Sequence, residues 1–149
     1  MKVLFLDVDG VLNSEQWFTL DSKDEDSYIG LRSISPKAAL RVKEVLAQTE
    51  AKIVLSSVWR IIPEMTKELE AWGIPIFDQT PVLDTNHRAS EISAWLAAHP
   101  EVSVFAIIDD DDDAGDSAVL APRFIQTSWK RGIQDIHVHA LIGLLGKCT

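Results

Sequence analysis

The sequence predicts an α/β domain in three layers, with a central parallel sheet of about five strands held between helices. Two observations carry that prediction. Short apolar runs alternate along the chain with longer segments of helical period, the pattern of strands joined by crossover helices. The run "VSVFAII" (102–108) is continuous and largely β-branched, as suits a parallel strand covered on both faces.

Each element follows from its residues. "KVLFL" (2–6) reads as a buried first strand. In "SPKAALRVKEVLAQ" (35–48), Ser35 is an N-cap, Pro36 fits the first helical position, and Ala39, Val42, Val45 and Leu46 form an apolar stripe. "AKIVLSS" (51–57) is the second strand. "PEMTKELEAWG" (63–73) is a short helix with Met65, Leu69 and Trp72 on one face and Gly73 as its stop. "IPIFD" (74–78) is the third strand, and "NHRASEISAWLAAH" (86–99) a helix turning Ile92, Trp95 and Leu96 inward. After the strand at 102–108, "RFIQT" (123–127) is the fifth, and "DIHVHALIGLLG" (135–146) the closing helix.

The 149 residues fit one domain, 1–149, with no repeat or linker composition, and the chain is long enough to bury a single core. A net charge of −9 argues against general affinity for nucleic acid, which rests on excess Lys and Arg. It leaves room for a local basic site, because five of the acids are concentrated in Asp109–Asp113. Cys148 is the only cysteine, so no disulfide forms within the chain and a reducing compartment fits. "KVLFL" is too short for a signal-peptide core, and no run approaches the roughly 20 apolar residues that cross a bilayer. The expected location is the cytoplasm, away from membranes.

In open parallel sheets, ligands bind outside the carboxyl ends of the strands. The residues after the strands therefore share one edge: Asp7 and Asp9, then Ser56, Ser57 and Arg60, then His87 and Arg88, then Asp109 to Asp113, then Ser128 to Arg131. Two like charges 4 Å apart repel by about 4 kcal/mol at an effective dielectric near 20. A cluster of Asp7, Asp9, Asp109 and Asp110 needs a counter-ion, and oxygen donors alone suit Mg²⁺. Arg60 and Arg88, with the serine hydroxyls, are placed to hold phosphate oxygens. Calcium loops of the EF-hand type do not fit: "DVDGVLNSEQWF" has its glycine at position four, and "DDDDAGDSAVLA" ends in Ala121 where a Glu is required.

"FLDVDGVLN", "VLSSVWR" and "AIIDDDDD", in that order, resemble the haloacid dehalogenase-like (HAD) superfamily of aspartate-nucleophile phosphohydrolases over residues 2 to about 146. The "SSVWR" and "IIDDD" forms are also similar to the HAD-type domains associated with RNA repair proteins. The resemblance implies a Rossmann-like fold in which Asp7 attacks phosphorus and becomes an aspartyl phosphate. It implies Asp9 as the acid for the leaving oxygen and then the base for water. Mg²⁺ would be held by the Asp7 carboxylate, the Asp9 backbone carbonyl, and Asp109 or Asp110, with Asp113 a further candidate. Ser56, or Ser57 in its place, would bond the transferring phosphoryl group. Arg88 would fill the position where many members have lysine, since no Lys lies between Lys67 and Lys130.

Between Asn13 and the helix at Ser35 there are only about 20 residues, room for a flap at about 14–34 and for no folded cap. An open site implies a large phosphorylated substrate, such as a nucleic-acid end, or closure by another subunit. Trp17, Phe18, Tyr28, Trp59 and Trp129 offer aromatic surfaces on which a base could stack, and Lys130 and Arg131 offer charge. The competing expectation is a non-catalytic phosphate- or metal-binding module of the receiver type, with Asp78 after the third strand as acceptor. The intact Asp7-x-Asp9 pair favours an enzyme, because a binding module has no use for an acid–base partner two residues away.

Overall fold

The strands and helices follow one another in the predicted order. The computed structural model describes residues 1–21 and 33–149. β1 (Lys2–Leu6), β2 (Lys52–Leu55), β3 (Ile76–Gln79), β4 (Val104–Asp109) and β5 (Phe124–Gln126) form one parallel sheet in the order β3-β2-β1-β4-β5. The helices are α1 (Glu15–Asp21), α2 (Pro36–Thr49), α3 (Pro63–Ala71), α4 (Arg88–Ala97) and α5 (Asp135–Leu145). This is the Rossmann-like α/β arrangement. Among the described residues, no helix is long and apolar enough to cross a membrane.

Strand side chains alternate between the two faces, so each strand feeds two cores. Leu4, Leu6, Ile53, Leu55, Ala106 and Ile108 pack against α2, α3 and α5. Val3, Phe5, Val54 and Ile107 pack against Ala89, Ile92 and Trp95 of α4, with Ala114 and Leu120 from short 3₁₀ turns. Phe5 meets the Trp95 ring edge-on at 5.4 Å between centroids.

Element ends shift by a few residues from expectation, and three of the differences have a local reason. The second strand stops at Leu55, because Ser57 turns the chain into a 3₁₀ helix at Val58–Ile61 and accepts a hydrogen bond from Trp59 N at 3.2 Å. α4 begins at Arg88, because Asn86 sits in left-handed backbone at φ +52° and cannot start a helix. The segment expected as a flap carries α1 at its beginning. Most of its remainder, Tyr28 included, lies outside the described residues.

Ladder hydrogen bonds continue past the ends of the strands. Thr80 N bonds Leu55 O at 3.0 Å, Ser56 N bonds Leu6 O at 2.8 Å, Asp7 N bonds Ile108 O at 3.1 Å, and Thr127 N bonds Asp109 O at 2.9 Å. The first residues of the loops therefore keep strand register. The chain runs from β1 to β2 on one side, while β4 lies on the other, so the loops after β1 and β4 part at the switch in strand order.

Leu141 of α5 is fully buried in the larger core, whereas Ile136 on the same helix is 73 % exposed. Leu141→Ala should cost about 2–5 kcal/mol in urea unfolding, and Ile136→Ala should stay within about 0.5 kcal/mol of the parent.

Candidate active site

Two carboxylates meet at that switch point. Asp7 follows β1 directly and Asp109 ends β4, and both are buried, at 7 % and 2 % exposure. Half-buried Asp110 joins them: one carboxylate oxygen from each of Asp7, Asp109 and Asp110 lies within 4.8 Å of the others. Among the described residues, no other trio of His, Cys, Asp or Glu comes this close. The Asp9 carboxylate stands apart from the cluster and is exposed.

Burial and mutual repulsion set the protonation of this pair. Loss of water, then the charge of Asp109, push Asp7 up to about 9. Asp109 is pushed up to about 6, again first by burial. Arg88 opposes both shifts with its positive charge. Burial and mutual repulsion thus favour a proton on the Asp7–Asp109 pair in the absence of a cation.

The turn after β1 is built around this cluster. Gly10 has φ +84°, and a Cβ there would collide with the Asp110 carboxylate, so the glycine is required twice over. Thr127 Oγ1 donates to Gly10 O at 2.7 Å. Asn13, buried, closes the turn: its Oδ1 accepts from Gly10 N, and its Nδ2 donates to Asp9 Oδ1 and Ser33 O, each at 2.9 Å. Asn13 thereby orients Asp9, a role unforeseen in the sequence, although the residue closes the quoted motif.

Arg88, on the first turn of α4, places Nε 3.6 Å from Asp109 Oδ2 and Nη1 3.5 Å from Glu91 Oε1. Glu91 is buried on the next turn, and its other oxygen pairs with Arg60. Here the structure corrects an expectation. The Arg60 side chain is buried and its guanidinium is occupied by Glu91, by Ser57 O at 2.7 Å and by Thr80 O at 3.1 Å. Arg60 braces the loops after β2 and β3 and holds Glu91 in place; it is not presented to a phosphate. Glu91 went unnoticed because its partner lies 31 residues away, although its i+3 spacing from Arg88 was a usable signal.

Ser56 and Ser57 have different fates. Ser57 is fully buried, and its hydroxyl accepts from Trp59 N to cap the 3₁₀ turn. Ser56 Oγ, beside Asp7 in register, is buried with no hydrogen-bond partner among the described residues. Buried hydroxyls are rarely left so, and an oxygen-rich ligand on the edge would supply the partner. Asp113 caps α4 by accepting from Arg88 N at 3.2 Å, a task in place of supporting a metal. Trp59 is buried, so it offers no stacking surface, whereas Phe18 and Trp129 are partly exposed and 6.0 Å apart. Lys130 and Arg131 are exposed, and Trp17 is half-buried. Asp78 accepts from Trp95 Nε1 at 2.8 Å and takes no part in the acidic cluster, which counts against a receiver-type site.

The residues fit a hard divalent cation. Their donors are oxygen only, Arg88 offsets their repulsion in part, and their oxygens are close enough to share one ion. A parallel α/β fold with Asp-x-Asp-Gly after the first strand and an acidic pair after the fourth defines a HAD-type domain. The chain belongs to the family described as the HAD domain in Swiss Army Knife RNA repair proteins, whose profile matches residues 3–138. No curated protein and no solved structure matches it. Membership points to chemistry of the phosphohydrolase kind.

The pH dependence of stability follows from Asp7. Its pKa is higher folded than unfolded, so its contribution is intact below the ordinary carboxylate value and is lost as pH rises toward 9. Thermal melts without metal should show stability falling between pH 7 and 9 by up to about 1.4 kcal/mol per pH unit. Asp7→Asn should flatten that slope, and Mg²⁺ should raise the melting temperature more at pH 8.5 than at pH 7. Glu91→Gln removes the countercharge of a buried guanidinium and should cost on the order of 3 kcal/mol in urea unfolding.

Proposed function

We propose that the protein is a Mg²⁺-dependent phosphatase working through an aspartyl phosphate on Asp7. Its substrate is a large phosphorylated molecule, and the RNA repair setting of the family favours a phosphorylated nucleic-acid end. The observation that carries this reading is the buried Asp7–Asp109 pair beside the partnerless Ser56 hydroxyl, with Asp9 held outside the pair by Asn13.

An Asp7 oxygen attacks phosphorus, forming the P–O bond to the enzyme while the bond to the leaving oxygen breaks. Asp9 gives that oxygen its proton. In the second half, Asp9 takes a proton from water, the water oxygen attacks phosphorus, and the bond to Asp7 breaks, releasing phosphate and regenerating both acids. Ser56 Oγ donates to a phosphoryl oxygen, and Arg88 offers charge to the others while lowering the proton affinity of Asp7. The carboxylates of Asp7, Asp109 and Asp110, with the Asp9 carbonyl, would hold Mg²⁺. When bound, the ion keeps Asp7 ionised and neutralises charge on the phosphoryl group.

The test is phosphate release, with and without Mg²⁺, from an aryl phosphate, mononucleotides, and oligonucleotides phosphorylated at either end. Release should require Mg²⁺ and vanish in Asp7→Asn. Asp9→Asn should slow it by roughly 10²–10⁴-fold, with Mg²⁺ binding by calorimetry largely kept. Unchanged turnover in Asp9→Asn would overturn the mechanism.

A further inference from the structure

A cavity of about 470 Å³ opens between α1, the first turns of α2, and the segment 131–134 before α5. Lys37, Arg41 and Arg131 line it, together with the Trp17 side chain and Asn13. Among the described residues, no carboxylate does. Among the described residues that lining is a local reversal of charge in a chain with 23 acidic and 14 basic residues, with Lys37 and Arg131 the cations outside the Arg41–Asp135 pair.

Its position relative to the catalytic edge gives that reversal a meaning. Asn13 has one face on the cavity, and its amide holds Asp9, the acid assigned to the leaving oxygen. Asn13 is thus shared between the cavity lining and the turn that holds Asp9. Arg41 is tethered, with Nε on Asp135 at 2.9 Å and Nη1 on Ile133 O at 3.2 Å. Lys37 and Arg131 are exposed and carry the outward-facing charge.

We propose that this cavity binds the single-stranded nucleic acid adjoining the scissile phosphate, with a base against Trp17 and successive backbone phosphates on Lys37 and Arg131. The assignment rests on the phosphatase reading and deepens it. Cations drawn from two elements beside an aromatic ring match a ligand that repeats a phosphate and a base at every residue. A singly phosphorylated peptide offers one phosphate, already placed at Asp7, and does not repeat a phosphate and a ring at every residue. The volume lies within the range of sites for small organic ligands, enough for about one nucleotide.

The test uses a fluorescein-labelled hexanucleotide with a terminal phosphate, read by anisotropy on Asp7→Asn protein with Mg²⁺ over a range of salt. Adding Lys37→Gln and Arg131→Gln should weaken binding at least tenfold and flatten the salt dependence by about 1.4 in log–log slope, roughly 0.7 for each phosphate that no longer meets a cation. Equal affinity and equal slope in the two proteins would overturn the proposal. So would displacement of the probe by a phosphoserine peptide as readily as by unlabelled oligonucleotide. With Asp7 intact, the double substitution should lower kcat/KM for the oligonucleotide at least tenfold more than for an aryl phosphate. Absence of phosphate release from aryl phosphate, mononucleotides and oligonucleotides alike in the parent protein would remove the phosphatase reading alone, since anisotropy decides the cavity independently.

Discussion

Two carboxylates held side by side out of water are the condition to which the rest of this molecule answers. Asp7 and Asp109 are brought together by adjacent strands, and the sheet cannot pair β1 with β4 without placing them so. Everything around them limits the resulting repulsion or makes use of it. Arg88 supplies partial neutralisation, a proton on the pair is favoured when no cation is present, and Gly10 lets Asp110 come near enough to complete an oxygen cage. Such a pair, with its charge only partly offset, is suited to a cation.

The two arginines on this edge divide their labour by burial. Arg60 lies inside and is consumed by backbone carbonyls and Glu91, while Arg88 is nearer the surface and shares Glu91 with it. One buried carboxylate between two guanidiniums keeps the outer one directed toward Asp109 and gives the inner one a countercharge. The arrangement joins the loops after β2 and β3 to the start of α4, so Arg88 stands on a framework drawn from three segments.

What the sequence disclosed here was what neighbours in the chain determine. Strand and helix periods, the Ser35 cap, and the row of polar residues after the strands are local properties, and each has its counterpart in the structure. Pairings between distant segments were hidden: Arg60 with Glu91, Asp113 with the start of α4, Asn13 with Ser33. Arg60 illustrates the reason. A cation in a loop beside a suspected phosphate site has the right type and the right edge, but whether it faces solvent or carbonyls depends on the next loop. Ser56 and Ser57 likewise differ only in which way the chain turns after β2. The helix α1 escaped notice because its seven residues are short and mixed in polarity, too brief for a clear period.

The continuation of the ladder beyond the strand ends has a consequence for how this protein ages under stress. In many enzymes the reacting groups sit on loops that loosen before the body melts, leaving a folded but idle molecule. Here Ser56, Asp7 and Thr127 are stitched by main-chain bonds into the same sheet that holds the two cores together. The inner part of the edge has little freedom to come apart on its own. Ser56, Asp7 and Thr127 therefore keep their places for as long as the sheet keeps its pairing.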